Sequence, residues 1–286
     1  MTKSAFKLSN CYFPLELPSS QEGGTKERHS GDGKTTRASH SLRRIHIDSQ
    51  VLQSGSALVE MGHTKVICQV TSPVYASSSL LPSSVQLSMD EGTLYCQVNY
   101  LSHASYPTAR ILNASATPLD QSHQQFSSSR INTWRLSRES DLSARLLSAL
   151  QAAVPLQQYP KCCIRVQVTV LQDDGSVLPA CIAAASIALT RACVELYDLV
   201  TSCQVALQNG ILLADPDLDE EESADALVTL AFLPNWKEVS LLEQSGKLSP
   251  AQTNQAIDLC RDGCRTMHRF LRDHLLQKLS ESKTKD

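Results

Sequence analysis

Residues 161–200 limit most what this chain can fold into. The run KCCIRVQVTVLQDDGSVLPACIAAASIALTRACVELYDLV reads as strand, turn and helix. Ile164, Val166, Val168 and Val170 alternate with Arg165, Gln167 and Thr169, the period-two pattern of a strand with one buried face. Asp173, Asp174 and Gly175 break that pattern as a turn. From Ala180 to Val194 almost every residue is small or apolar. A helix of that composition is hydrophobic all round and must be buried on most of its surface. Strand and helix together predict the centre of an α/β core, where ligands gather at the carboxyl ends of strands. The chemistry open to residues 173–178 is therefore the main functional question.

Composition sets limits around that centre. With 286 residues, 42% of them apolar, the chain suits one large domain or two small ones with a full core. A formal net charge of −3 excludes the strong positive field of a free-standing nucleic-acid binder. The charge is uneven: Lys26, Arg28, Lys34, Arg37, Arg43 and Arg44 make a basic N-terminal part, and Asp215 to Asp225 is strongly acidic. The 10 cysteines do not read as a disulfide scaffold, because the chain is long, no signal-like segment opens it and they sit in apolar periodic runs. Cys68, Cys96, Cys162, Cys163, Cys181, Cys193 and Cys203 are expected as small buried hydrophobes, which implies a reducing compartment. Cys260 and Cys264 stand one helical turn apart, but no second ligand pair matches them, so no metal is expected. No apolar run approaches the ~20 residues of a membrane span.

Residues 1–40 are polar and are expected to form an extended or partly disordered arm. A first strand is predicted over 43–48. The segments 55–62 and 63–74 predict a hairpin turning at Gly62-His63. A serine-containing loop (77–91) leads to an alternating strand over 94–101. Residues 102–134 lose all periodicity and read as a long inserted loop, either a tether or a functional loop presenting Arg110 and Arg130. Leu142, Leu146, Leu147 and Leu150 predict a helix over 139–154, stopped by Pro155. After the central strand and helix, 201–208 and 210–216 predict a hairpin at Asn209-Gly210, and 225–234 and 238–246 a strand pair joined through Pro234-Asn235. A last helix over 250–278 has Ser249 as N-cap and Gln252 closing a capping box. Ile257, Cys260, Cys264, Met267, Leu271 and Leu275 lie on one face, and the 279–286 tail is solvated. The whole reads as α/β (α+β), with two similar sheet-and-helix lobes over about 41–154 and 161–278.

Three ordered segments carry a family resemblance. GSALVEMGHTKVICQV resembles the first signature of the RNase PH family, LQDDGSVLPACIAAASIAL its second and LLADPDLDEEESADALVTLAFLP its third. The similarity runs over about 31–278 and is greatest toward the ring subunits of the eukaryotic RNA exosome; VELYDLVTSC and the C-terminal helix narrow it toward one subunit type. The resemblance implies two similar lobes and six such domains in a hexameric ring around an RNA channel. Active members cut RNA from the 3′ end with inorganic phosphate and release nucleoside diphosphates. Implied partners are other RNase PH-like subunits, cap subunits with OB and KH domains, and single-stranded RNA, with no membrane. Implied settings are nucleus, nucleolus and cytoplasm, in rRNA processing and RNA degradation. That chemistry needs donors and an arginine to hold the phosphate, and carboxylates holding a metal, or an acid, where charge develops.

The chain departs from that pattern where the chemistry is demanded. Active members carry Asp-x-Gly-Thr/Ser-Arg in the central turn. Here Asp174 aligns with the acid, Ser176, Val177 and Leu178 follow, and the arginine position is Leu178. Leucine has no donor, whereas arginine has five in a planar fork. Of the two acids in the third signature, the first aligns with Glu221 and the second with Leu227; of the paired arginines before the first long helix, Arg138 is kept beside Ser137. The acidic run 219–222 reads as a solvated loop rather than a surviving metal site. The resemblance thus implies a silent ring subunit, with no catalytic residue, metal or cofactor, and with Arg138, Arg110, Arg43, Arg44 and Lys65 as candidate RNA contacts. An active phosphorolytic 3′-to-5′ exoribonuclease and a lone RNA-binding module are the alternatives.

Overall fold

The computed structural model describes residues 27–29, 36–49, 51, 55–75, 90–101, 104 and 124–283. Arg110, Arg130's side chain and most of the two serine-rich loops lie outside the described residues. Strands β1 (Glu27–His29) and β2 (Thr36–Ala38) pair antiparallel, so part of the stretch expected as a disordered arm is a small ribbon. The chain continues through β3 (Ile45–Asp48), β4 (Ser56–Met61), β5 (Thr64–Tyr75), β6 (Thr93–Tyr100) and α1 (Gln124–Gln151). Then come β7 (Cys162–Gln172), α2 (Val177–Arg191), β8 (Thr201–Gln208), β9 (Ile211–Ala214) and α3 (Leu218–Glu222). The last elements are β10 (Ala226–Leu233), β11 (Glu238–Gly246) and α4 (Pro250–Lys283).

The larger sheet has the order β3-β4-β5-β7-β6, and the smaller the order β11-β10-β8-β9. Among the described strands only β6 and β7 run parallel, and α1 supplies the crossover that a parallel pair needs. This placement of β7 corrects the expected lobes. β7 completes the first sheet, so the division between the sheets falls after α2 and not between residues 154 and 161. The reason is pairing: β7 satisfies its backbone against β5 on one side and β6 on the other.

Helix α2 lies between the sheets, packing on β4 and β5 of one and β8 of the other. Every residue from Val177 to Leu189 is buried, which is why the segment has no polar face. Ala180, Ala183, Ala184, Ala185 and Ala188 let both sheets approach, while Ile182, Ile187 and Leu189 fill the volume. Each of those larger side chains stabilises by ~1.5–3 kcal/mol on full burial. A second core joins Cys203, Val205, Val228, Leu230 and Phe232 to Ala256, Cys260 and Cys264 of α4. There Cys260 and Cys264 direct their thiols to the carbonyls of Val228 and Leu230, at 3.7 and 3.6 Å. Burial pushes the Cys68, Cys96 and Cys181 thiols up. Cys193 departs from the expectation: it is exposed at the left-handed end of α2 (φ 56°), and Cys162 is half-buried.

Helix α1 begins at Gln124 and not near residue 139, so residues 124–134 of the expected loop are helical. Leu142, Leu146 and Leu150 anchor the helix in the core, and elongation from a formed helix costs little. The hairpin turns were legible: Asn209 and Gly210 take φ 49° and 77°, the paired positive values of a type I′ turn. At the start of α4, Ser249 N–H donates to Gln252 Oε1 at 3.1 Å and Gln252 N–H donates to Ser249 Oγ at 3.4 Å, both halves of the expected capping box.

Two histidines of α4 make stability depend on pH. His268 is buried, and His274 has a buried Nε2 that finds no hydrogen-bond partner among the described residues. Burial lowers both pKa values below the ordinary histidine value, Asp198 opposing this at His268 and Asp48 at His274. The unfolded chain therefore binds more protons than the folded one as pH falls through about 6.5. The melting temperature should drop between about pH 7.5 and 5.5, and replacing both histidines with glutamine should flatten that slope. A melting temperature that is constant or rises on acidification would contradict this.

Candidate functional site

The turn after β7 is built from its own side chains. Asp173 Oδ1 accepts the Gly175 N–H at 3.2 Å, an Asx turn, and Gly175 takes φ 81°. A Cβ at Gly175 would stand 2.6 Å from the Asp217 carbonyl carbon and 2.8 Å from the Leu218 nitrogen, so only glycine lets the turn meet the chain before α3. Ser176 is left-handed at φ 49°, and its hydroxyl donates to the Pro216 carbonyl at 3.0 Å instead of capping α2.

Arg43 lies beneath this turn. Its Nη1 donates to the Asp174 carbonyl at 2.6 Å, and its Nη2 to the Gly175 carbonyl at 3.1 Å and Asp215 Oδ1 at 2.8 Å. The Arg43 backbone N–H donates to Asp215 Oδ2 at 2.9 Å. Thr64 Oγ1 donates to the Gly175 carbonyl at 2.7 Å and accepts the Asp174 N–H at 3.1 Å. Arg43 and Asp215 are only 7% and 2% exposed. Burial raises the Asp174 carboxyl above its ordinary range, with Arg43 opposing.

A second guanidinium closes the other side. Arg138 of α1 donates from Nε to Tyr100 Oη at 3.1 Å and from Nη2 to Asp173 Oδ2 at 3.0 Å, and the Tyr100 hydroxyl donates to the same oxygen at 3.1 Å. Burial opposes the charge on Arg138, but Tyr100 and Asp173 outweigh it and hold the guanidinium protonated. Burial, with the Asp173 charge, pushes the Tyr100 hydroxyl up. Asp173 thus ties α1, β6 and the turn together.

Above these contacts opens a cleft of about 620 Å³, whose walls include Arg138, Leu178, Gln204, Glu221 and Leu227. Glu221 Oε2 accepts the Ser176 N–H at 3.2 Å, and Glu221 Oε1 accepts the Gln204 side chain at 3.0 Å. A carboxylate of the chain itself therefore occupies one donor at the start of α2, the Ser176 N–H. Across the cleft, Arg145 pairs with Glu243 at 3.4 Å. An incoming phosphate would have to displace Glu221 and would be repelled by it. Among the described residues, no group of three or more His, Cys, Asp or Glu could hold a metal ion.

Val177, Leu178, Glu221 and Leu227 meet at this cleft with Arg138, and Asp174 and Ser176 form the turn at its base. Val177 and Leu178 are buried, 4% and 5% exposed. The candidate RNA contacts separate. Arg43 is corrected: it is buried and committed to Asp215 and to the carbonyls of the turn. Arg44 is exposed before β3, and Lys65, 41% exposed on β5, lies 3.5 Å from Glu60. The acidic run is not a loop. Asp217 Oδ1 accepts the Glu220 N–H at 2.8 Å and Glu220 Oε2 accepts the Asp217 N–H at 3.0 Å, a full capping box that starts α3. That Asp-x-x-Glu spacing was in the sequence. Tyr100, Gln204 and Asp215 carried no sequence signal, since each sits in or beside an apolar strand.

Residues 41–195 match the RNase PH model described as 3′ exoribonuclease family, domain 1, and residues 198–263 match domain 2 of that family. Over 231 residues the chain is 31% identical to an Arabidopsis thaliana protein named exosome complex component RRP41-like, covering 80% of this chain and 77% of that protein. Over 143 residues it is 36% identical to the Homo sapiens exosome complex component MTR3, covering 49% of this chain and 53% of that one. The fold is like that of rice (Oryza sativa) Rrp46, with a TM-score of 0.66 at 18% identity over 86% of this chain and 100% of that one. It is also like a chain of the Archaeoglobus fulgidus exosome with RNA bound to the active site, with a TM-score of 0.60 at 19% identity over 84% and 91%.

Proposed function

We propose, from the premise that this chain belongs to the RNase PH family of 3′ exoribonucleases, that it is a catalytically silent ring subunit of an RNA exosome core. Within that role we assign it to the type called mRNA transport regulator three, on the VELYDLVTSC segment, the C-terminal helix and the 36% identity to human MTR3. The observation that carries silence is the Glu221 carboxylate on the Ser176 N–H, in a cleft where Leu178 and Leu227 replace the arginine and second acid. A side chain that accepts donors cannot also supply them to a phosphate. The subunit would contact RNase PH-like neighbours in a hexameric ring, support cap subunits with OB and KH domains, and act in nucleus, nucleolus and cytoplasm. Arg138, Arg44, Lys65 and Arg110 would offer single-stranded RNA phosphate contacts that read no sequence.

The purified chain, given RNA with a free 3′ end and inorganic phosphate, should release no nucleoside diphosphate. In the assembled ring, Arg138→Ala should act on any phosphorolysis only through weaker RNA binding, raising KM and leaving kcat unchanged. Phosphate-dependent release by the isolated chain would sink the reading. A lower kcat of the ring on Arg138→Ala would point to a site completed with a neighbour. An active phosphorolytic exoribonuclease is the second reading, favoured by the open cleft that keeps Arg138 and Glu221 together.

A further inference from the structure

A separate hollow of about 360 Å³ lies where the end of α2, the segment leading into β8 and α4 meet. Val194, Leu196, Leu199 and Leu275 give it apolar walls, and Arg272 stands among its lining residues. Beside it are two aromatic side chains that are exposed yet fixed. Tyr197 and Trp236 are 54% and 59% exposed. Their rings meet edge to face at 6.0 Å, and the Trp236 indole N–H donates to the Tyr197 carbonyl at 3.2 Å.

The turn carrying Trp236 is held by buried Asp198. Asp198 Oδ2 accepts the Asn235 backbone N–H at 2.8 Å, and Oδ1 accepts the Asn235 side chain and the Leu199 N–H, each at 2.8 Å. His268 Nε2 is 3.6 Å from Asp198 Oδ1. The one carboxylate of the hollow is therefore committed to its own chain. Arg272 is exposed, and among the described residues no hydrogen bond or ion pair engages it. The surface offers an apolar hollow, a pre-set aromatic wall and the Arg272 guanidinium, which no hydrogen bond or ion pair engages among the described residues. Trp, Tyr and Arg dominate binding hot spots, and rigid aromatic rings lose little entropy when a partner docks.

We propose that this surface docks a segment of a partner protein that places an aliphatic side chain in the hollow and a neighbouring carboxylate on Arg272. A nucleic acid fits it poorly, because Arg272 is the one arginine or lysine among the described residues lining the hollow, and exposed Glu195 and Asp273 stand at adjacent positions. The proposal is independent of whether the cleft described above is silent.

The test uses the full chain in its native assembly, with Leu276→p-benzoylphenylalanine placing a photo-crosslinker on an exposed position one turn from Arg272. Irradiation should crosslink a different protein, through a peptide with Leu, Ile, Val or Met within about three residues of Asp or Glu. Arg272→Glu and Trp236→Ala should each weaken retention of that same protein about tenfold, with the melting temperature of the free chain unchanged. Crosslinks only to RNA, only to a second copy of this chain or only to a segment without an acid would overturn the proposal. So would no protein crosslink, or retention unaltered by Arg272→Glu. If Trp236→Ala lowers the melting temperature, Arg272→Glu decides alone, since among the described residues no hydrogen bond or ion pair holds its exposed side chain.

Discussion

Arg43→Ala should destabilise the protein by about 3–5 kcal/mol, because it strips a buried carboxylate of its partner. Asp215 is 2% exposed and takes one hydrogen bond from the Arg43 guanidinium and one from its backbone N–H. The substitution leaves the backbone donor but removes the positive charge, and it also takes one donor from each of the Asp174 and Gly175 carbonyls, Gly175 keeping the Thr64 hydroxyl. Both partners are almost fully buried, so solvent does not screen the loss as it would on a surface. Arg43→Lys keeps the charge but not the planar fork and should fall between the two. Urea unfolding measures the difference. A loss under about 1 kcal/mol would mean that the pair is solvated and that the turn stands without it.

Gly175→Ala acts on the same turn from above and should cost about 2–4 kcal/mol. Holding a non-glycine residue at φ 81° stores ~1–3 kcal/mol of strain. The rest comes from steric overlap, because the new methyl group would sit within 2.6–2.9 Å of the Asp217 and Leu218 backbone, which cannot rotate away as a side chain could. The start of α3 must shift, and with it the Glu221 carboxylate on the Ser176 N–H. Circular dichroism melts would give the stability loss, and amide exchange at Ser176 should quicken. Unchanged stability and exchange would show that the two segments are not in contact.

The central turn was readable from the chain, but its purpose was not. Alternation over β7 and the unbroken apolar run of α2 predicted the strand and the buried helix, because period and composition are local properties. The Asn209-Gly210 hairpin was equally local, since a type I′ turn needs two adjacent residues that tolerate positive φ. Reading Arg43 as an RNA contact failed for the opposite reason. An arginine beside another arginine in a basic stretch looks solvated, and only its distance in space from Asp215, 172 residues away, makes it a core ion pair. The start of α1 was missed because its first turns are polar and are carried by packing farther along the helix.

The sequence by itself determined the order of the main strands and helices, the buried helix at the centre, and the apolar identity of positions 178 and 227. Each of these is a matter of residue type and spacing along the chain. Tertiary structure alone decided that β7 belongs to the first sheet, that Arg43 and Asp173 bind the turn from two sides, and that Glu221 takes the Ser176 N–H at the start of α2. Those are pairings between residues far apart in the chain, and their energy exists only when burial removes water from both partners at once.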